Sequence, residues 1–337
     1  MTRFTDVQWC VYPVTKRQFG VSTHLYHGQR LSRDHLLEIA AHGFETIEVF
    51  ATRTHFDYHN PAAVADLQQW MAEAGLTLHG IHAPIMHAYE GGRRIGPLSL
   101  ASSDADARAE AVAETEQALH IARRIPVKVL ATHLGLPRTA TQGAALRPFD
   151  KLRVAPSRVE ARQSSGEALR QSSGQALRRG SAQAPDGRAA ARRSIEEVQR
   201  VAEPLGVQIA VEVIPNELSR AGSLVHFVED DVEGLEGRPV GICLDFGHAH
   251  MDGDLVEAIE TVSEHFITVH VHDNRGRADD HLVPFEGTID WPAALTAIQK
   301  VGYEGPLMFE MAAQGSAKDT LARAQKARLN MEKMLAG

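Results

Sequence analysis

Short runs of apolar and β-branched residues alternate along the chain with longer stretches in which apolar side chains return every three or four positions. The first pattern predicts strands buried on both faces, and the second predicts amphipathic helices. FGVSTHLY (19–26) opens the series and precedes a helix from Ser32, a good N-cap, to His42, with Gly43 as its stop. TIEVF (46–50) precedes a helix from Asn60-Pro61 to Ala74, ended by Gly75. LTLHGIH (76–82) leads through a loop to a helix near 104–124. VKVLATH (127–133) is followed by a segment of different character and then a helix near 188–203. VQIAVEV (207–213), VGICLDF (240–246), FITVHVH (266–272) and PLMFEM (306–311) precede helices near 220–229, 254–263, 290–301 and 317–333.

Eight strands and eight helices in strict alternation predict parallel βαβ units with right-handed crossovers. The predicted class is α/β, a (β/α)₈ TIM barrel formed by residues 19–337 as one domain, with residues 1–18 as an N-terminal extension. The rival, an open doubly wound sheet, usually carries a Gly-rich turn after its first strand. Here that strand ends STHLYHGQ, without GxGxxG. The segment 140–187, after the fourth strand, reads as a flexible low-complexity insertion. It contains the repeat RQSSGEAL (162–169) and RQSSGQAL (170–177), with almost no large apolar side chain to offset the entropy of ordering it.

Charge separates this segment from the rest. Residues 147–193 hold eleven Lys and Arg against four Asp and Glu; that local +7, in a chain of net charge −8, leaves −15 on the remainder. An acidic body repels nucleic-acid phosphates, so a nucleic-acid partner is not expected. No run of about 18 apolar residues suggests a membrane span. The N-terminal residues lack the apolar core of a secretion signal. Cys10 and Cys243 are too few for a disulfide framework. The expected location is cytoplasmic.

In such a barrel the chemistry gathers at the carboxyl ends of the strands. There the sequence places His82, His133, Glu212, Asp245 with His248 a short turn on, His270 and His272, then Asp279 and His281 in the following loop, and Glu310. Carboxylates are almost never buried without a partner, so this many at one mouth call for cations. Imidazole and carboxylate without thiolate suit a divalent ion such as Mn, Zn or Co. His270 is assigned to the barrel axis, whereas His272 is expected behind it or under a helix. His35, His42, His120, His226 and His265 are expected at the surface. Glu48, ending the second strand, and Arg275, following the seventh, are assigned to substrate binding, with a supporting salt bridge as the equal alternative for Glu48 and a solvated loop for Arg275. Trp291 is expected to pack at a helix start with Asp290 as N-cap, and Cys243 to be inert core.

The ordered set IHAP, THLG, VEVIPN, CLDFGHAH, VHVHDN, DDHLVPFEGTIDW and LMFEM resembles the xylose isomerase-like barrel superfamily, which also contains endonuclease IV. The resemblance spans about 19 to 333. On its isomerase and epimerase branch it implies one divalent ion held by Glu212, Asp245, His270 and Glu310. A carbohydrate substrate would then undergo enediolate-type proton transfer between Glu212 and Glu310, with His248 binding substrate. On the endonuclease branch it implies up to three zinc ions, with His82, His133, His248, Asp279 and His281 completing the ligand set. The resemblance also allows a homodimer.

Overall fold

The structure, a computed structural model, describes residues 17–137 and 184–336. Eight parallel strands close into a barrel: β1 (Phe19–Ser22), β2 (Thr46–Phe50), β3 (Thr77–His82), β6 (Val129–Thr132), β7 (Gln208–Glu212), β8 (Gly241–Asp245), β9 (Phe266–Val271) and β10 (Leu307–Phe309). They are hydrogen-bonded in the order β1-β10-β9-β8-β7-β6-β3-β2, with β2 closing on β1. The remaining pair, β4 (Met86–Glu90) and β5 (Arg93–Pro97), forms an antiparallel hairpin in the loop after β3. The helices are α1 (Arg33–Ala41), α2 (Pro61–Ala74), α3 (Ala105–Leu119), α4 (Ala184–Ala202), α5 (Ala221–His226), α6 (Phe246–Asp252), α7 (Leu255–Thr261), α8 (Trp291–Lys300) and α9 (Ala317–Ala336).

Local chemistry sets the boundaries. The Asn60 side chain accepts from the Ala62 N–H, Pro61 opens α2, and Gly75 closes it at φ 69°. The Asp290 side chain accepts from Ala293 N–H and starts α8, with Trp291 buried as its first residue. The first strand is shorter than its apolar run. Ser22 caps a 3₁₀ turn, Thr23–Tyr26, which carries His24 to the mouth. A helix absent from the sequence reading, α6, follows β8 directly, because Asp245 accepts from the His248 N–H at 2.6 Å and acts as its N-cap. Of the proposed 140–187 insertion only 184–187 is described, and it is the first turn of α4; the rest lies outside the described residues.

The apolar core lies mainly between sheet and helices. Phe227, Phe246, Trp291 and Phe309 are among its largest fully buried members. Each such side chain contributes roughly 1.5–3 kcal/mol of burial. That shell leaves the carboxyl end of the barrel free to hold polar groups. The register then brings the site together: Glu212 pairs with Cys243, and Asp245 with His270.

Candidate metal centre at the barrel mouth

Four elements converge on one point. Glu212 ends β7, Asp245 ends β8, His270 lies near the end of β9, and Glu310 follows β10. One ligand-type atom from each lies within 4.8 Å of the others, and all four residues are buried. His270 Nδ1 is 3.2 Å from Glu212 Oε1 and 3.5 Å from Glu310 Oε2. A second group shares Glu212: its Oε2 is 3.2 Å from His82 Nε2 and 3.3 Å from His133 Nε2. A third lies toward the rim. Asp279 Oδ2 is 3.2 Å from His248 Nε2, and Asp279 Oδ1 is 3.2 Å from His281 Nε2.

These approaches are close, yet many are not hydrogen bonds. Both oxygens of Glu212, Asp245 Oδ2, His133 Nε2, His248 Nε2, His270 Nδ1 and His272 Nε2 are buried and have no hydrogen-bond partner. Unmade hydrogen bonds at this many buried polar atoms are costly. Atoms aimed at shared points rather than at one another are what divalent-ion ligands look like, and the donor set of imidazole and carboxylate fits such an ion. Several rings are pinned by their other nitrogen, as metal-binding histidines usually are. His82 Nδ1 meets Ala83 O at 2.8 Å, His248 Nδ1 meets Val213 O at 3.1 Å, and His281 Nδ1 meets Glu310 O at 2.8 Å.

Electrostatics of the cluster point the same way. Burial would push the Glu212 carboxyl up, but the His270 and His133 rings hold it well below the usual range. Burial opposes protonation of His82, yet Glu212 beside it raises that ring to about 9. Asp279 does the same for His281, also about 9 against burial. These shifts mark the carboxylates of the cluster as places where positive charge is favoured. His133 goes the other way, lowered by burial despite Glu212.

One clamp holds the rim loop. The buried Asp273 carboxylate accepts from Asn274 N (2.9 Å), Phe285 N (3.0 Å), Ile289 N (3.2 Å) and Trp291 Nε1 (2.8 Å). Its backbone pairs with Leu282 in both directions. The loop so anchored carries Asp279 and His281, and His281 takes the strained value φ 44°. Non-glycine residues rarely sit there unless the surroundings force them. Rings line the β1 side of the mouth: His24 lies 4.8 Å from His281, 4.6 Å from His27 and 4.9 Å from Phe50 between centroids, and Tyr89 of the hairpin meets His27 edge-on at 4.5 Å.

All nine residues of the two implied ligand sets therefore meet. One assignment needs correction. His272 does not turn away: its Nε2 lies 3.0 Å from Asp245 Oδ1, and it joins His248, Asp279 and His281 in the rim group. Residues two apart in an extended segment share a face, so the periodicity itself predicts His270 and His272 on the same side. Of the two readings of Glu48 the structure favours the supporting salt bridge: the residue is buried in the barrel, its Oε2 3.0 Å from His270 Nε2. Arg275 is not brought to the cluster; its guanidinium is exposed, against Glu286 O and Asp280. Cys243 is buried as expected, but its sulfur lies beside Glu212 and His270 rather than in purely apolar surroundings. Asp273 and the ring wall escaped sequence reasoning. For Asp273 the signal was its place between the strand-end VHVH and the rim loop.

Comparison with known proteins agrees with this architecture. An uncharacterized protein of Methanocaldococcus jannaschii, MJ1311, is 31% identical over 120 residues, covering 35% of this chain and 41% of its own length. The chain thus spans less than half of the curated relatives it matches. A D-tagatose 3-epimerase-like protein superposes with TM-score 0.67 at 21% identity, over 95% of this chain and 97% of that one. The IOLI protein, solved with a zinc atom, superposes with TM-score 0.64 at 15% identity, over 94% and 98%. At these identities the structural likeness shows the fold alone. The model of the xylose isomerase-like TIM barrel family matches residues 36–334, nearly all of the chain, and the chain belongs to that family.

Proposed function

We propose that the chain is a divalent-metal-dependent isomerase or epimerase acting on a small carbohydrate, a sugar, sugar phosphate or polyol. The observation that carries this reading is the buried group Glu212, Asp245, His270 and Glu310, in which two glutamates reach one point from β7 and β10. Strands β8 and β9 separate those two in the barrel, so the carboxylates approach from different directions. A Mn, Zn or Co ion held by these four residues would polarise a carbonyl and its neighbouring hydroxyl, making the adjacent C–H acidic enough to ionise. Glu212 and Glu310 are then the groups proposed to take and return that proton. His248, between Asp245 and Asp279, is suited to hold a hydroxyl. The epimerase-like neighbour in fold and the zinc-bearing IOLI protein support the reading.

A second reading has its own observation. The groups His82–His133–Glu212 and His248–His272–Asp279–His281 could each hold a further ion, and three zinc ions suit a phosphodiesterase cutting at abasic sites. Against it stands the charge of −15 outside residues 147–193, a poor match to duplex phosphates. Metal content per chain decides first. About one ion, with solvent deuterium entering a sugar from a panel, is the expected result; about three zinc ions and cleavage of an abasic duplex would replace this proposal by the second. Glu310→Gln is expected to retain an ion and lose about 10²–10⁴-fold in turnover. Unchanged turnover would remove Glu310 from the mechanism.

A further inference from the structure

We infer that Glu48 is a positioning residue, which fixes the ring nitrogen that His270 turns toward the metal centre. The inference rests on the proposal that the group of Glu212, Asp245, His270 and Glu310 holds an ion.

Glu48 and His270 sit on strands that do not pair, β2 and β9, so their contact crosses the barrel interior. Both are buried, and Glu48 Oε2 lies 3.0 Å from His270 Nε2 in hydrogen-bonding geometry. A carboxylate only accepts, so the hydrogen of this bond belongs to Nε2. In a neutral ring the other nitrogen, Nδ1, is then the one with a free lone pair. That atom faces Glu212 Oε1 at 3.2 Å and Glu310 Oε2 at 3.5 Å and makes no hydrogen bond. One contact therefore selects the tautomer and the ring orientation together.

The backbone makes room for this arrangement. Pairing of β2 with β3 slips between Ile47 and Glu48, which sets Glu48 opposite Gly80. A Cβ at Gly80 would lie 3.2 Å from Glu48 Oε2 and 3.4 Å from Val129 O, tighter than ordinary contact. Any side chain there would press on the carboxylate that holds the ring. Glu48 and His270 are both shut off from solvent, at 1% and 0% exposure. The place of Glu48 is thus behind a ligand, where carboxylate partners of metal-binding histidines usually raise affinity about 10–100-fold.

The test uses the full chain, Zn²⁺ alone as probe, and three proteins: wild type, Glu48→Gln and Glu48→Ala. Zn²⁺ affinity is measured by competition with a chromophoric chelator, and ¹⁵N NMR of the imidazoles reads which His270 nitrogen keeps its proton in the Zn²⁺-bound chain. The Glu48→Ala affinity is expected to fall about 10–100-fold. Glu48→Gln, whose amide oxygen can still accept from Nε2–H, is expected to recover much of the loss and to keep the wild-type tautomer. Thermal unfolding without Zn²⁺ separates a folding defect from a loss of affinity, and if Glu48→Ala is unfolded the Glu48→Gln tautomer carries the test. Wild-type affinity in Glu48→Ala, or a wild-type ring protonated at Nδ1 alone, overturns the role of Glu48. A wild-type chain that binds no Zn²⁺ overturns the metal centre, and the role falls with it.

Discussion

The Asp273 clamp yields a sharp stability prediction. Its two oxygens divide the work: Oδ1 accepts from Asn274 N and Ile289 N, while Oδ2 accepts from Phe285 N and Trp291 Nε1. Asp273→Asn keeps the shape but turns one of these oxygens into an N–H donor. Whichever way the amide faces, two buried N–H groups lose their acceptor and meet a donor instead. Hydrogen bonds to a charged group are worth about 1.5–3 kcal/mol each. Two of them, with partial relaxation, put the cost at about 3–5 kcal/mol. At roughly 2–4 °C per kcal/mol for large domains, the melting temperature should fall by roughly 6–20 °C. The loss is local first, because the clamp anchors the loop bearing Asp279 and His281. Urea unfolding, with metal content measured on the same samples, checks both parts. The ion held by Glu212, Asp245, His270 and Glu310 is expected to be retained, because the clamp anchors the rim loop rather than those four residues. A variant within about 1 kcal/mol of wild type would refute the argument, since it would mean that the four donors find other acceptors.

Other expectations follow from the same geometry. A Cβ at Gly287 would overlap Asp273 Oδ1 and the Asn274 carbonyl, so Gly287→Ala should destabilise by about 1–3 kcal/mol, read in the same urea series. A Cβ at Gly247 would overlap the His272 ring, so Gly247→Ala should displace that ring and lower the affinity of the rim group for Zn²⁺, measured by chelator competition. Without metal, His82 and His281 are raised from 6.5 to about 9. Their stabilisation is therefore complete below about pH 6.5 and is lost as pH rises through about 9. Thermal unfolding in chelator should show this decline. With the single proposed ion, which neither ring ligates, the decline should persist in saturating Zn²⁺; a reversed slope would give these rings ions of their own, as the second reading requires. A parallel decline with and without Zn²⁺ would argue against ion binding by these histidines.

What was legible in the chain depended on whether the information was local. Strand TIEVF and helix Pro61–Ala74 were readable to the residue because an apolar run, an Asn-Pro start and a Gly stop are all short-range signals. The nine strand-end and rim residues that meet at the mouth were readable because a parallel barrel brings every strand's carboxyl end to one place. For Glu48 the chain leaves a choice between a substrate contact and a supporting salt bridge, because its partner is 222 residues away across the barrel and no spacing along the chain encodes that contact. The hairpin β4–β5 and helix α6 were missed for different reasons: one lies in a loop of mixed polarity, while the other begins on a residue already read as a ligand. That second case is instructive. Asp245 accepts from the His248 N–H with one oxygen, while its other oxygen is buried without a hydrogen bond. A single carboxylate thus starts a helix and faces the centre, and the turn it starts delivers His248 to the rim. The spacing of Asp245 and His248 is therefore a capping turn as well as a ligand spacing. The folding of this corner and the assembly of the site are one event.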